Sequence, residues 1–190
     1  MKKIDKTGPK NLKHQYVFCV EGKAEDYWLS FLKSFIKPKK CFRIENMGGF
    51  STLNGFEGKY KKVTKTWDIR PKTAFSLIFI FDNDLGIEST KIQNFIISKE
   101  RNHFVTDPNI EGLFLKLKQK YNLTNDGTVQ FREKCKHQFA LQFKKGVDEL
   151  GVRDKNYIEI LGRDIGSIIS NAKICPNYTA LLKLFLEDND

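Results

Sequence analysis

The sequence predicts an α/β fold: a mainly parallel sheet flanked by helices, with a helical C-terminal extension. Three observations lead there. Two runs, 15–20 (QYVFCV) and 75–81 (FSLIFIF), are continuously apolar, which suits strands buried on both faces beneath helices. Strand-like and helix-like segments alternate up to about Val105. Beyond that point only helical periodicity follows. The expected organisation is a basic flexible tail over 1–14, an α/β core over 15–108, and a helical part over 109–190 packed on that core.

The elements follow in order. Segment 1–14 (MKKIDKTGPKNLKH) is lysine-rich, is interrupted by Gly8-Pro9, and lacks the apolar stretch of a signal peptide. The first strand ends in Glu21-Gly22-Lys23, and a helix follows. Its apolar face is Trp28, Phe31, Leu32, Phe35 and Ile36, at i, i+3, i+4, i+7 and i+8, and Pro38 ends it. Glu25 and Asp26 fall in its first turn, where the helix dipole favours anions. Glu25 also lies close to Glu21, so a second role stays open for it.

Segment 41–45 (CFRIE) reads as a short strand, and Gly48-Gly49 opens a loop. A helix over about 51–68 carries Lys59, Lys61, Lys62 and Lys65 with Tyr60 and Trp67 among them. Basic residues interleaved with aromatics can track a phosphate backbone and stack bases. The same pattern also describes a solvated helix face with one aromatic in the core. After the 75–81 strand, Ser89 or Thr90 can cap a helix bearing Ile92, Phe95 and Ile96. Segment 102–105 (NHFV) is a fourth strand, and Thr106-Asp107-Pro108 starts the next helix. That helix buries Ile110, Leu113, Phe114 and Leu117. Glu111 lies about 100° round from Ile110, either serving the dipole or facing the crevice at the strand ends.

Phe131, Cys135, Phe139 and Phe143 recur every fourth residue, with Gly146 as the stop. Ile158, Leu161, Ile165, Ile168 and Ala172 predict one further helix that tolerates Gly162 and Gly166. Pro176-Asn177 restarts the chain, and Leu181, Leu182 and Phe185 complete the core.

The chemistry gathers at the strand ends. The 75–81 run stops abruptly in Asp82-Asn83-Asp84, two carboxylates that need water or a cation to compensate them. Taken alone, the triplet also fits an ordinary turn. Glu21 ends the other apolar strand in the same way. If the two strands are parallel neighbours, Glu21, Asp82 and Asp84 converge in the crevice where open α/β sheets bind ligands. Three hard oxygen ligands there suit Mg²⁺ or Mn²⁺. Lys23 could neutralise phosphate charge or simply face solvent.

Charge and composition limit the classes. A net charge of +10 and a pI near 9.4 favour an anionic partner, most often nucleic acid. The four cysteines form no Cys-x-x-Cys pair, so neither a zinc site nor a disulfide framework is expected, and a reducing cytoplasm fits. His14, His103 and His137 are scattered, no Ser-His-Asp arrangement or Walker-type loop occurs, and no run is long enough for a membrane span.

VFCVEGKAEDYWLSFL followed by LIFIFDND resembles the Toprim fold, with its strand-end Glu and later Asp-x-Asp. TDPNIEGLFLKL resembles the Ser-Asn-Pro-x-Phe-Glu-x-Trp-Leu signature of RloB-like proteins, and PNYTALLKLFL resembles their C-terminal segment. The sequence departs from that pattern in having Ala24 where a Thr is usual, and Ile110 and Phe114 where Phe and Trp are usual. The resemblance implies a Toprim core binding Mg²⁺ through Glu21, Asp82 and Asp84, with Glu111 at the same site. It also implies a phage-defence setting, often beside an ATPase partner. The expectation is a metal-dependent nuclease acting on DNA or RNA. The alternative is a non-catalytic nucleic-acid-binding or regulatory subunit of a defence complex.

Overall fold

Val17, Phe18, Cys19 and Val20 are closed off from solvent on both sides of their strand, because that strand lies inside a parallel sheet. The computed structural model describes residues 14–38, 40–49, 52–68, 75–83, 87–99, 103–106, 109–118 and 128–186. Its described strands are β1 (Gln15–Val20), β2 (Cys41–Asn46), β3 (Phe75–Asp82) and β4 (His103–Thr106). They form a four-stranded, all-parallel sheet in the order β2-β1-β3-β4. In the register Val20 stands beside Asn46 and Ile80, Ile80 beside Phe104, and Asp82 beside Thr106.

Side-chain alternation along the strands divides the interior in two. Phe18, Val20, Ile78, Ile80 and Phe104 face one side, where α1 (Lys23–Ile36) and α4 (Ile110–Leu117) cover them. The helices α5 (Val129–Phe143), α6 (Asn156–Leu161), α7 (Ile165–Ala172) and α8 (Pro176–Leu186) contribute to that same apolar cluster. Val17, Cys19, Leu77, Phe79 and Phe81 face the other side, under α2 (Leu53–Asp68) and α3 (Ile87–Lys99). Each large apolar side chain so buried contributes roughly 1.5–3 kcal/mol before entropy is counted. The helical C-terminal region therefore packs on one sheet face only. Among the described residues, no helix is long and apolar enough to cross a membrane.

Four boundaries differ from the sequence expectation. The expected single helix from Ile158 to Ala172 is two. Gly162 takes φ +135°, and a Cβ there would sit 2.7 Å from Ser167 Cβ and 2.8 Å from the Ile168 nitrogen. Asp164 then caps α7, accepting the Ser167 N–H at 2.8 Å. Thr106 is not a helix cap but the buried last residue of β4, and α4 is capped by Asn109, which accepts the Gly112 N–H at 2.9 Å. α3 begins at Ile87, so Ser89 and Thr90 lie inside it rather than at its cap. α5 ends before Gly146: Lys144 takes the left-handed conformation at φ 59°, and Gly146 instead opens a 3-10 turn at Val147–Glu149.

Candidate functional site

The chain leaves β1 towards β2 on one side and leaves β3 towards β4 on the other. Between β1 and β3 the connections therefore diverge, and the gap at their carboxyl ends is the switch point where such sheets bind ligands. Glu21 follows β1 directly, and Asp82 is the last residue of β3. Asp82 shares the parity of Ile78 and Ile80, so it belongs to the sheet face covered by α1 and α4.

Both helices begin at this edge, and each brings a carboxylate. Glu25 is in the first turn of α1, only 5% exposed, and its Oε2 accepts the Gly22 N–H at 3.0 Å. The fit is close: a Cβ on Gly22 would lie 3.2 Å from that oxygen. Glu111 is the second residue of α4 and 8% exposed, within a helix buried nearly all round. Asp82 accepts a hydrogen bond from the Thr106 hydroxyl, and the Asn83 N–H continues the ladder to the Thr106 carbonyl at 2.9 Å.

Crowding of like charges shows in the electrostatics. Burial, followed by the charges of Glu25, Glu111 and Glu21, pushes the Asp82 carboxyl well above the usual carboxylate range, with the Thr106 hydrogen bond opposing. Part of the Asp82 residue nonetheless stays accessible. Glu25 is raised too, mainly by burial and then by Glu21 and Glu111, against its backbone hydrogen bonds. Burial also raises Glu111, with Asp148 and Glu133 adding to it and Lys136 opposing. Glu25, Asp82 and Glu111 from three separate elements, with Glu21 in the turn after β1, thus crowd a single crevice.

Of the residues the sequence singled out, Glu21, Asp82 and Glu111 are brought together, and Glu25 joins them. The sequence left a second role open for Glu25 beside its helix-dipole one, and the structure brings its charge to bear on Asp82. Asp84 lies outside the described residues. Lys23 is exposed at the start of α1.

The α2 residues divide differently. Lys61, Lys62 and Lys65 are exposed, while Lys59 donates to the carbonyls of Gly48 and Gly49, the latter at 2.7 Å. The aromatics between them do not face outward for base stacking. Trp67 is 3% exposed, and Tyr60 packs on Phe79 and Phe95. They anchor α2 to the sheet instead. The histidines stand apart as well: His14 bonds Ser76 Oγ at 2.9 Å, and His103 begins β4.

Among the described residues, Glu21, Glu25, Asp82, Glu111 and Thr106 offer the crevice carboxylate and hydroxyl oxygens, the kind of ligand a hard divalent cation takes. Among the described residues, no three His, Cys, Asp or Glu side chains are arranged to hold a metal ion as they stand. The described carboxylates make a partly desolvated cluster rather than a closed coordination shell. Set against family models, curated proteins and solved structures, the chain matches none.

Proposed function

We propose that this chain is a Mg²⁺- or Mn²⁺-dependent nuclease of the Toprim kind that hydrolyses phosphodiester bonds in DNA or RNA. The observation that carries the reading is Asp82: a carboxylate at the switch-point edge whose ionised form is opposed by burial and by three carboxylate neighbours. Such a group is costly in the free protein and is relieved by a divalent cation. A bound Mg²⁺ or Mn²⁺ supplies a Lewis acid for the phosphoryl oxygen and acidifies water. Glu21, Asp82 and Asp84 hold it in this reading. Thr106 orients Asp82 by donating to its carboxylate. Glu25, held in place by the Gly22 N–H, takes a proton from the attacking water in this reading, a role its raised pKa suits. The net charge of +10 supports a polyanionic substrate. Resemblance to RloB-like proteins over 106–117 and 176–186 supports a phage-defence setting with an ATPase partner.

The test is incubation with mixed DNA and RNA in Mg²⁺ or Mn²⁺, with a chelator control and the Asp82→Asn variant. Cleavage lost in both controls supports the reading. Cleavage that survives Asp82→Asn, or a wild-type protein that binds nucleic acid without cutting it, refutes it and favours the binding-subunit alternative.

A further inference from the structure

A cluster of four carboxylates repels the phosphate it is proposed to cut, so a positive group beside it would offset that repulsion. Helix α5 supplies one. It buries Phe131, Cys135, Phe139 and Phe143, and Lys136 follows Cys135, about 100° round from that stripe. Asn109, 2% exposed, fastens α5 to α4. Its Oδ1 accepts the Gly112 N–H at 2.9 Å, and its Nδ2 donates to the Arg132 carbonyl at 3.5 Å. Gly112 adjoins Glu111, and Arg132 precedes Lys136 by about one helical turn. One buried amide therefore holds the helix end carrying Glu111 against the turn leading to Lys136.

Across this seam the Lys136 charge acts on both Glu111 and Asp82. Its hydrogen bond to Glu133 first, then the charges of Glu133, Glu111 and Asp82, hold the ammonium above its ordinary pKa. The hydrogen-bond partner is not a crevice carboxylate but a neighbour on α5 itself. Lys136 Nζ donates to Glu133 Oε1 at 2.9 Å, with the two side chains 54% and 64% exposed. A lysine serving only to neutralise Glu111 would bond that carboxylate directly. This one instead waits in an exposed pair, a weak association that a phosphate can displace.

We infer that Lys136 is the phosphate contact of the acidic crevice, exchanging Glu133 for a non-bridging oxygen of a nucleic-acid phosphodiester placed against Asp82 and Glu111. The inference rests on the crevice being the phosphodiester site proposed above, but the contact needs only a bound phosphate and no cleavage.

The experiment is equilibrium binding of fluorescein-labelled single-stranded DNA and RNA of one sequence, followed by anisotropy in Ca²⁺ over a salt series. Lys136→Ala should weaken binding by about tenfold and lower the log–log salt slope by about 0.7, the share of one phosphate contact. Lys136→Arg should restore both. Lys134→Ala, an exposed control about 200° round the same helix, should change neither. Wild-type affinity and slope in Lys136→Ala overturn the inference, as does a wild-type protein that binds neither strand. Binding that depends on Lys136 without cleavage in Mg²⁺ supports the contact while removing the hydrolytic reading. Wild-type cleavage with unchanged Lys136→Ala binding removes the contact alone.

Discussion

Replacing Asp82 with Asn tests the electrostatic argument without any substrate. Burial and the charges of Glu25, Glu111 and Glu21 raise the Asp82 pKa in the folded protein. Each unit of that rise costs the ionised, metal-free fold about 1.4 kcal/mol. Asn keeps the shape and can still accept from Thr106, losing only the charge-assisted part of that bond, on the order of 1 kcal/mol. A rise of a single unit therefore offsets the loss, and Asp82→Asn should melt no lower than wild type at neutral pH. Each net kcal/mol gained should appear as about 2–4 °C. The sign with pH follows. A carboxyl whose folded pKa is raised gives stability that is present below its unfolded pKa and is lost as pH rises through the folded one. The advantage of Asp82→Asn should thus shrink as pH falls towards 4, the range of an ordinary Asp. Melting followed by circular dichroism in a chelator, from neutral to acid pH, reads both effects. A variant less stable than wild type at neutral pH, by an amount independent of pH, would refute the reasoning.

Three further outcomes are expected. Glu111→Gln should keep the fold, since the helix retains its Asn109 cap, yet weaken Mn²⁺ binding by about tenfold or more, as calorimetry would show; unchanged affinity would leave Glu111 a dipole residue. Gly162→Ala should cost about 1–3 kcal/mol in denaturant unfolding, because Ala meets both an unfavourable φ of +135° and the Ser167 Cβ at 2.7 Å; a neutral result would show that α6 and α7 join differently. Lys61→Glu with Lys62→Glu should weaken oligonucleotide binding less than Lys136→Ala, since α2 covers the sheet face opposite α1 and α4, and should leave stability within about 0.5 kcal/mol. A larger binding loss would put the phosphate track on α2.

The parallel sheet was legible because its two central strands are unbroken apolar runs, which only burial on both faces explains. Glu21 and Asp82 were legible for the same reason, as abrupt charges at the ends of those runs. Other features were written ambiguously. Ile158, Leu161, Ile165 and Ile168 keep helical spacing across Gly162, so periodicity alone joins α6 to α7. The break is signalled instead by Gly162 followed by the cap Asp164 with Ser167 three residues on. On α2, Tyr60 and Trp67 read both as base platforms and as anchors, and only packing on Phe79 and Phe95 or burial decides. Glu25 does serve its local role, capping through the Gly22 N–H. Its position beside Asp82 follows from α1 starting directly after β1, whose neighbour in the sheet is β3, a long-range fact no local pattern carries. Lys136 is hidden in the same way, on a helix whose visible signal is its phenylalanine stripe.

The most direct measurement of the central claim is titration of Mn²⁺ into metal-free protein, with bound ion read by electron paramagnetic resonance. The carboxylates at the β1–β3 edge should take up Mn²⁺ saturably, and Mg²⁺ should compete for the same site. Asp82→Asn, folded and at least as stable as wild type, should lose that uptake. No saturable binding at millimolar Mn²⁺, or equal uptake by wild type and Asp82→Asn, would contradict a cation site at this edge.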